Sequence, residues 1–253
     1  MKFIDSHGHI SDEQYEDALE VIERAKEAGI VAHVCASCNL SSSQKAVELA
    51  NKYDIVYANV GFHPENVNEL TENSLDEIEK LAKMKKVVAI GEIGLDYHYG
   101  KETEALQKEV FIKQIELANK LNLPIVVHTR DAMGDTIEIL QKHPVKKPSL
   151  MHCYNGSIES AKILMSLGFS FSIGGLVTFK NAKNVVEVVK NLPLERILLE
   201  TDCPYMTPEP FRGKRNEPKN VIYSADVIAR IKQTTLEEVA SVTTENAKRL
   251  FGI

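Results

Sequence analysis

No stretch of the 253-residue chain approaches the roughly 18–20 consecutive apolar residues that a membrane span requires. The opening Met1-Lys2-Phe3-Ile4-Asp5 carries only an apolar pair where a signal peptide needs an h-region, so a cytoplasmic protein with no membrane partner is expected. Cysteine is scarce: Cys35, Cys38, Cys153 and Cys203 are read as thiols, not as a disulfide framework. Cys35-Ala36-Ser37-Cys38 spells C-x-x-C without a second pair to complete a zinc knuckle. It closes an apolar run, and residues three apart on an extended strand face opposite sides, so packing is the expected role. Basic excess is also missing. A net charge of −6 argues against non-specific coating of nucleic acid, but not against an enzyme whose bound metals supply positive charge locally. No G-x-G-x-x-G or Walker-type loop calls for a nucleotide cofactor. No Gly-Ser linker, charge block or low-complexity tract divides the chain, so residues 1–253 are expected to form one domain.

What is present is a regular alternation. Short apolar runs at Lys2–Asp5, Ile30–Cys35, Ile55–Val60, Val87–Ile90, Ile125–Val127, Ser149–Met151, Phe169–Ile173 and Ile197–Leu199 read as eight strands buried on both faces. Amphipathic stretches lie between them, including Glu13–Glu27, Ala105–Leu121, Ile158–Leu167 and Leu236–Leu250. Gly29 and Gly168 stand where two of these helices should stop. Eight βα units in about 250 residues predict an α/β fold of the TIM (β/α)8 barrel type.

Such a barrel keeps its chemistry at the C-terminal ends of its strands. The first run leads into His7-Gly8-His9, the fourth into Glu92, the fifth into His128, the sixth into His152 and the eighth into Asp202. His7 and His9, one residue apart on an extended strand, project to one side, and Gly8 lets the backbone approach a bound group. Taken singly, each residue has a bland reading: a core histidine, a helix-cap Glu92, a turn-forming Asp202. Together on one rim they read as ligands, because buried ionisable groups without partners each cost roughly several kcal/mol. Four neutral imidazoles and two carboxylates carry about −2, so two divalent ions would leave an excess of about +2, suited to an anionic phosphodiester. Glu92 is the candidate bridge between the ions, and Asp202 the ligand that orients or deprotonates water. Ligand softness admits Zn, Mn, Ni or Co, and Mg as an added, exchangeable ion.

The motifs Asp5-Ser6-His7-Gly8-His9, Gly61-Phe62-His63-Pro64, Gly91–Tyr97, His128–Ala132, His152–Gly156 and Glu200–Tyr205 resemble those of the TatD family of metal-dependent nucleases. So do the later segments Arg212–Pro218 and Thr244–Phe251, and the likeness spans the chain in register. The resemblance implies a metallo-dependent hydrolase barrel and a site for two divalent cations. It also implies a deoxyribonuclease activity, often 3′–5′ exonucleolytic, with His7, His9, Glu92, His128, His152 and Asp202 as ligands. Gly8 stands where the family often has Cys or Ala, and Tyr154 where Phe is common.

Around that set, His63, Tyr97, Arg130, Asn155 and Arg212 are the candidate substrate contacts, with Arg130 as a two-pronged phosphate clamp. The basic run Arg212, Lys214, Arg215 and Lys219 could guide a DNA strand by its phosphates, with Tyr205 and Phe211 stacking on unpaired bases. His33, His98 and His143 are expected to be structural or surface groups. The expected partner is DNA, single-stranded or at 3′ ends, with the protein a monomer or weak oligomer. Two alternatives are carried. One is a metallohydrolase of another bond, such as a cyclic amide or the ester of D-aminoacyl-tRNA; Glu92, where many amide-cleaving relatives have a bridging lysine, weakens the amide version. The other is a non-catalytic binding protein, against which the intact ligand set argues.

Overall fold

The structure is a computed structural model that describes residues 1–100 and 102–253. Strands and helices alternate as β1 (Phe3–Gly8), α1 (Ala18–Glu27), β2 (Ile30–Cys35), α2 (Leu40–Lys52), β3 (Val56–Val60), α3 (Ser74–Ala82), β4 (Val87–Asp96), α4 (Glu104–Leu121), β5 (Ile125–Arg130), α5 (Met133–Lys142), β6 (Ser149–Met151), α6 (Ile158–Ser166), β7 (Phe169–Ile173), α7 (Lys183–Asn191), β8 (Ile197–Leu199), α8 (Val221–Lys232) and α9 (Leu236–Phe251). All neighbouring strands pair in parallel, in the order β1 to β8. The architecture is the TIM (β/α)8 barrel expected from the sequence. No helix among the described residues is long and apolar enough to cross a membrane.

Between β8 and β1 the barrel is stitched by isolated hydrogen bonds. The Ser6 hydroxyl donates to the Leu199 carbonyl (2.8 Å), the Asp202 amide to the His7 carbonyl (2.9 Å), and the Thr201 amide to Asp5 Oδ1 (2.9 Å). Both faces of the sheet are apolar, as expected for parallel strands covered by helices. Ile4, Val34, Ala89, Val126, Leu150 and Leu198 fill the interior. Ala247 and Phe251 of α9 pack against that set, and Thr244 Oγ1 donates to the carbonyl of Lys2 at the start of β1. The final helix therefore plugs the N-terminal end, and the C-terminal end is left for the cleft.

Three strands run further than the apolar pattern indicates. β1, β4 and β5 continue through their polar residues to Gly8, Asp96 and Arg130. The polar side chains there face the site instead of ending the strand. α1 begins at Ala18 and not at Glu13, because the preceding segment is anchored to the late loop: Tyr15 Oη donates to the Asn216 carbonyl at 2.5 Å. Gly29 and Gly168 take the positive φ of helix stops, 90° and 92°.

Candidate metal centre

Two breaks in strand register aim the ligands. In β1, the two residues between Asp5 and Gly8, Ser6 and His7, stand against one of β2, Val34. In β4, the two residues between Ile90 and Ile93, Gly91 and Glu92, stand against one of β5, Val126. An extra residue of this kind bends a strand and re-aims its side chains, and His7 and Glu92 lie within these two segments. Asp202 takes a left-handed conformation (φ 53°), uncommon outside glycine and tolerated by Asp; its amide is held by the His7 carbonyl.

Glu92 is the centre of the arrangement. Its Oε2 lies 3.2 Å from His7 Nε2 and 3.5 Å from His9 Nε2. Its Oε1 lies 2.8 Å from both His128 Nδ1 and His152 Nε2, and 3.5 Å from His63 Nε2. Asp202 Oδ1 adds to the first group, 3.7 Å from His7 Nε2 and 3.5 Å from His9 Nε2. One carboxylate thus presents each oxygen to a different set of imidazoles. All six residues expected as ligands converge, and His63 joins them.

The donor set fits cations on two observations. First, His7 is fully buried, yet its Nε2, the nitrogen turned toward Glu92, has no hydrogen-bond partner. Burial, and then the neighbouring His152, push the His7 pKa down, which keeps the ring neutral and its lone pair free. Buried lone pairs without donors are costly, and a cation satisfies them. Second, the remaining charges are self-consistent only with positive charge between them. Burial alone would push the Glu92 carboxyl up, but His152 and His63 hold it well below the carboxylate range. Burial opposes protonation of His9 and His152, yet Cys38 and Asp202 around His9, and Glu92 and Glu200 around His152, raise both well above an ordinary histidine. Protons therefore occupy in the bare site the places that cations would take.

A layer of acceptors stands behind the ligands. Asp96 Oδ2 accepts from His128 Nε2 at 2.9 Å, which fixes that ring with Nδ1 toward Glu92. Glu200, fully buried, lies 3.7 Å from His152 Nδ1 and accepts from Ser172 Oγ. Such carboxylate–histidine pairs orient metal ligands and raise their basicity. Asp5 accepts from the Thr201 hydroxyl (2.6 Å) and from His33 Nδ1 (3.0 Å), behind the His7–His9 turn. Asp96, Glu200 and Asp5 lie in quoted motifs but escape a reading based on ligand type alone; only Asp96, one strand from His128, stands beside a ligand histidine in strand order.

The centre opens into a cleft of about 440 Å³. His63 and Arg130 line it, as expected of substrate contacts. Tyr97 does not: it is 8% exposed and its hydroxyl donates to Asp135 (2.8 Å), while Tyr99, in the turn past the end of β4, reaches the rim. Asn155 is exposed but does not line the cleft. Arg212 lines an adjoining depression, its guanidinium 3.9 Å from the centre of the Phe179 ring. The basic run is also less free than its sequence indicates. Arg215 pairs with Asp17 (2.6 Å) and Lys219 with Glu217 (3.0 Å). Of the C-x-x-C pair, Cys35 packs in the core as expected, but Cys38 follows the strand into the cleft, with Sγ 3.9 Å from His9 Nδ1.

Comparison with known proteins agrees with this geometry. The family described as TatD related DNase matches residues 4–252. The uncharacterized metal-dependent hydrolase YabD of Bacillus subtilis is 50% identical over 251 residues, covering 98% of each chain. The uncharacterized metal-dependent hydrolase YcfH of Escherichia coli is 38% identical, covering 100% of this chain and 97% of that one. Among solved structures, the TatD homologue YjjV of Escherichia coli superposes with a TM-score of 0.95 at 28% identity, covering 99% of this chain and 98% of that one. A TatD-family hydrolase of Entamoeba histolytica gives 0.89 at 27%, with the same coverage. A barrel whose rim gathers four histidines and two carboxylates, matched over its whole length by these proteins, belongs to the TatD family of metal-dependent hydrolases.

Proposed function

We propose that the protein is a deoxyribonuclease that hydrolyses phosphodiester bonds at single-stranded DNA ends, in the 3′–5′ direction. The observation that carries this reading is the division of Glu92, one oxygen toward His7 and His9, the other toward His128 and His152. On it, His7, His9, Glu92 and Asp202 would hold one divalent cation, and Glu92, His128 and His152 a second. Bound cations would neutralise phosphate charge and make a water nucleophilic near neutral pH.

The chain's own residues do the rest. Asp202 is held ionised: burial pushes its carboxyl up, but the bond to His9 and the charges of His152 and His9 bring it below its ordinary value. It is therefore a ready acceptor for the proton of the attacking water. Arg130, exposed at the end of β5 and lining the cleft, is placed to bind a phosphate oxygen pair. His63 keeps Nδ1 engaged with the Glu65 amide (3.1 Å), so its Nε2 carries the proton and donates toward the site.

The test is turnover of 3′- and 5′-labelled single strands with Mn²⁺ or Mg²⁺ against EDTA. Metal-dependent loss of nucleotides from the 3′ end is expected. Absence of cleavage with every metal, together with hydrolysis of an aminoacyl ester, would move the substrate to that class.

A further inference from the structure

Seven large apolar side chains are left exposed among the described residues, and the two aromatic rings among them, Tyr99 and Tyr205, both line the metal cleft. Tyr99 is 77% exposed and Tyr205 50%. Tyr99 follows β4 and Tyr205 follows β8. In a ring of eight strands ordered one to eight these two stand opposite each other, with the ligands between them. Each ring also has a neighbour that braces it. The Arg130 guanidinium lies 5.4 Å from the Tyr99 ring centre, and the Tyr205 hydroxyl donates to Asp12 (3.1 Å). Tyr205 further separates the metal cleft from the depression of Phe179, Arg212 and Lys214, which continues on its far side.

Exposed aromatic rings cost solubility, and these two rest against only a few neighbours, His98 and Arg130 beside Tyr99 and His9 and Asp12 beside Tyr205, which leaves much of each ring open. Charge makes the need for them plain. The chain carries −6, the cleft is lined, besides the ligands, by Asp12, Glu65 and Asp96, and Arg130 is the one Lys or Arg among its lining residues. Counterion release from phosphates, the usual source of affinity for nucleic acid, is therefore small at this mouth. Stacking supplies affinity without charge and tolerates any base.

We propose that Tyr99 and Tyr205 form a two-sided stacking clamp that selects strands whose bases are unpaired on both sides of the bond to be cut. In a duplex each base face is covered by its neighbours, so a ring gains a partner only by unstacking them. The clamp rests on the nuclease reading for its substrate and adds to it the residues and the structural feature of DNA that set specificity.

Two readouts separate the clamp from that reading. The first is binding: a single strand carrying 2-aminopurine near its 3′ end and phosphorothioate linkages against cleavage. The second is cleavage of an unprotected strand, of the same strand with abasic residues at its 3′ end, and of a blunt duplex. Wild type should quench 2-aminopurine, and should cleave the base-bearing strand with a KM roughly tenfold below that of the abasic one. Tyr99→Leu and Tyr205→Leu should each raise the apparent Kd by roughly fivefold or more and shrink the base-bearing to abasic ratio. Tyr99→Phe and Tyr205→Phe should restore quenching and ratio. Binding should fall only weakly with added salt. Cleavage with no quenching, with equal KM for the two strands, or with unchanged behaviour in the double Leu variant overturns the clamp and leaves the nuclease reading standing. Quenching that the Leu variants lose, without cleavage, supports the clamp and overturns the nuclease reading. Neither quenching nor cleavage overturns both.

Discussion

Replacing Gly8 by alanine adds one methyl group between the two histidines of the H-x-H turn. The added Cβ would meet Cys203 Sγ at 2.8 Å, His33 Cε1 at 3.0 Å and Thr201 Oγ1 at 3.2 Å, against ordinary contacts of roughly 3.5–4 Å. None of the three can yield freely. Cys203 is fully buried, and the Thr201 hydroxyl and the His33 ring are both tied to Asp5. Overpacking of this kind costs about 1–3 kcal/mol, which for a domain of this size lowers Tm by about 2–12 °C. Relief by moving β1 would displace His7 and His9, so metal affinity should fall as well. The sulfur is the nearest obstacle, so Cys203→Ala should reduce the penalty, with a coupling energy of about 0.5–2 kcal/mol in a double-mutant cycle. Urea unfolding of the four proteins measures it. Equal stability of Gly8→Ala and wild type, or strict additivity with Cys203→Ala, would refute the reasoning. It would also remove the packing explanation for glycine where the family often has Cys or Ala.

Other consequences are as direct. Asp96→Asn leaves His128 with a weaker acceptor behind Nε2, and metal affinity should drop by about 10–100-fold, read by calorimetry. His9 and His152 have raised pKa values in the bare protein, so metal uptake at pH 7 should release protons and weaken as pH falls; titration in buffers of different ionisation enthalpy counts those protons. His33 is pushed up to about 9, since burial, which opposes its charge, is outweighed by Asp5. A raised histidine contributes stability fully below its unfolded value near 6.5 and loses it as pH rises through 9. Metal-free protein should therefore lose up to about 3 kcal/mol over that window, a slope that His33→Gln abolishes in urea titrations.

Strand number, order of ligands and the existence of the final helix were legible in the sequence because they are periodic or chemical, whereas its packing over the N-terminal end of the barrel was not. Ser149–Met151, Phe169–Ile173 and Ile197–Leu199 are strands with the bounds their apolar runs mark. β1, β4 and β5 overran their apolar runs because their last residues face the centre, where polarity is required. Ligand types were readable at strand ends, but the register breaks that aim His7 and Glu92 depend on pairing with β2 and β5, which a single strand does not reveal. Tyr97 and Tyr99 look alike in sequence and are told apart only by the turn after β4, which ties the Tyr97 hydroxyl to Asp135 and leaves Tyr99 at the rim. Arg215 reads as a phosphate contact until the fold brings Asp17 to it from almost 200 residues away. Cys38 illustrates the limit of a strand-based argument: it lies past the end of β2, where alternation no longer applies.

The most direct test of the central claim compares metal content and 3′-end hydrolysis in wild type, Glu92→Ala and Asp202→Asn. If Glu92 joins two cation sites, wild type binds two equivalents of Mn²⁺ and Glu92→Ala loses both binding and turnover. Asp202→Asn loses turnover while the fold persists by circular dichroism. Wild-type turnover in either variant, or unchanged binding in Glu92→Ala, would contradict the account.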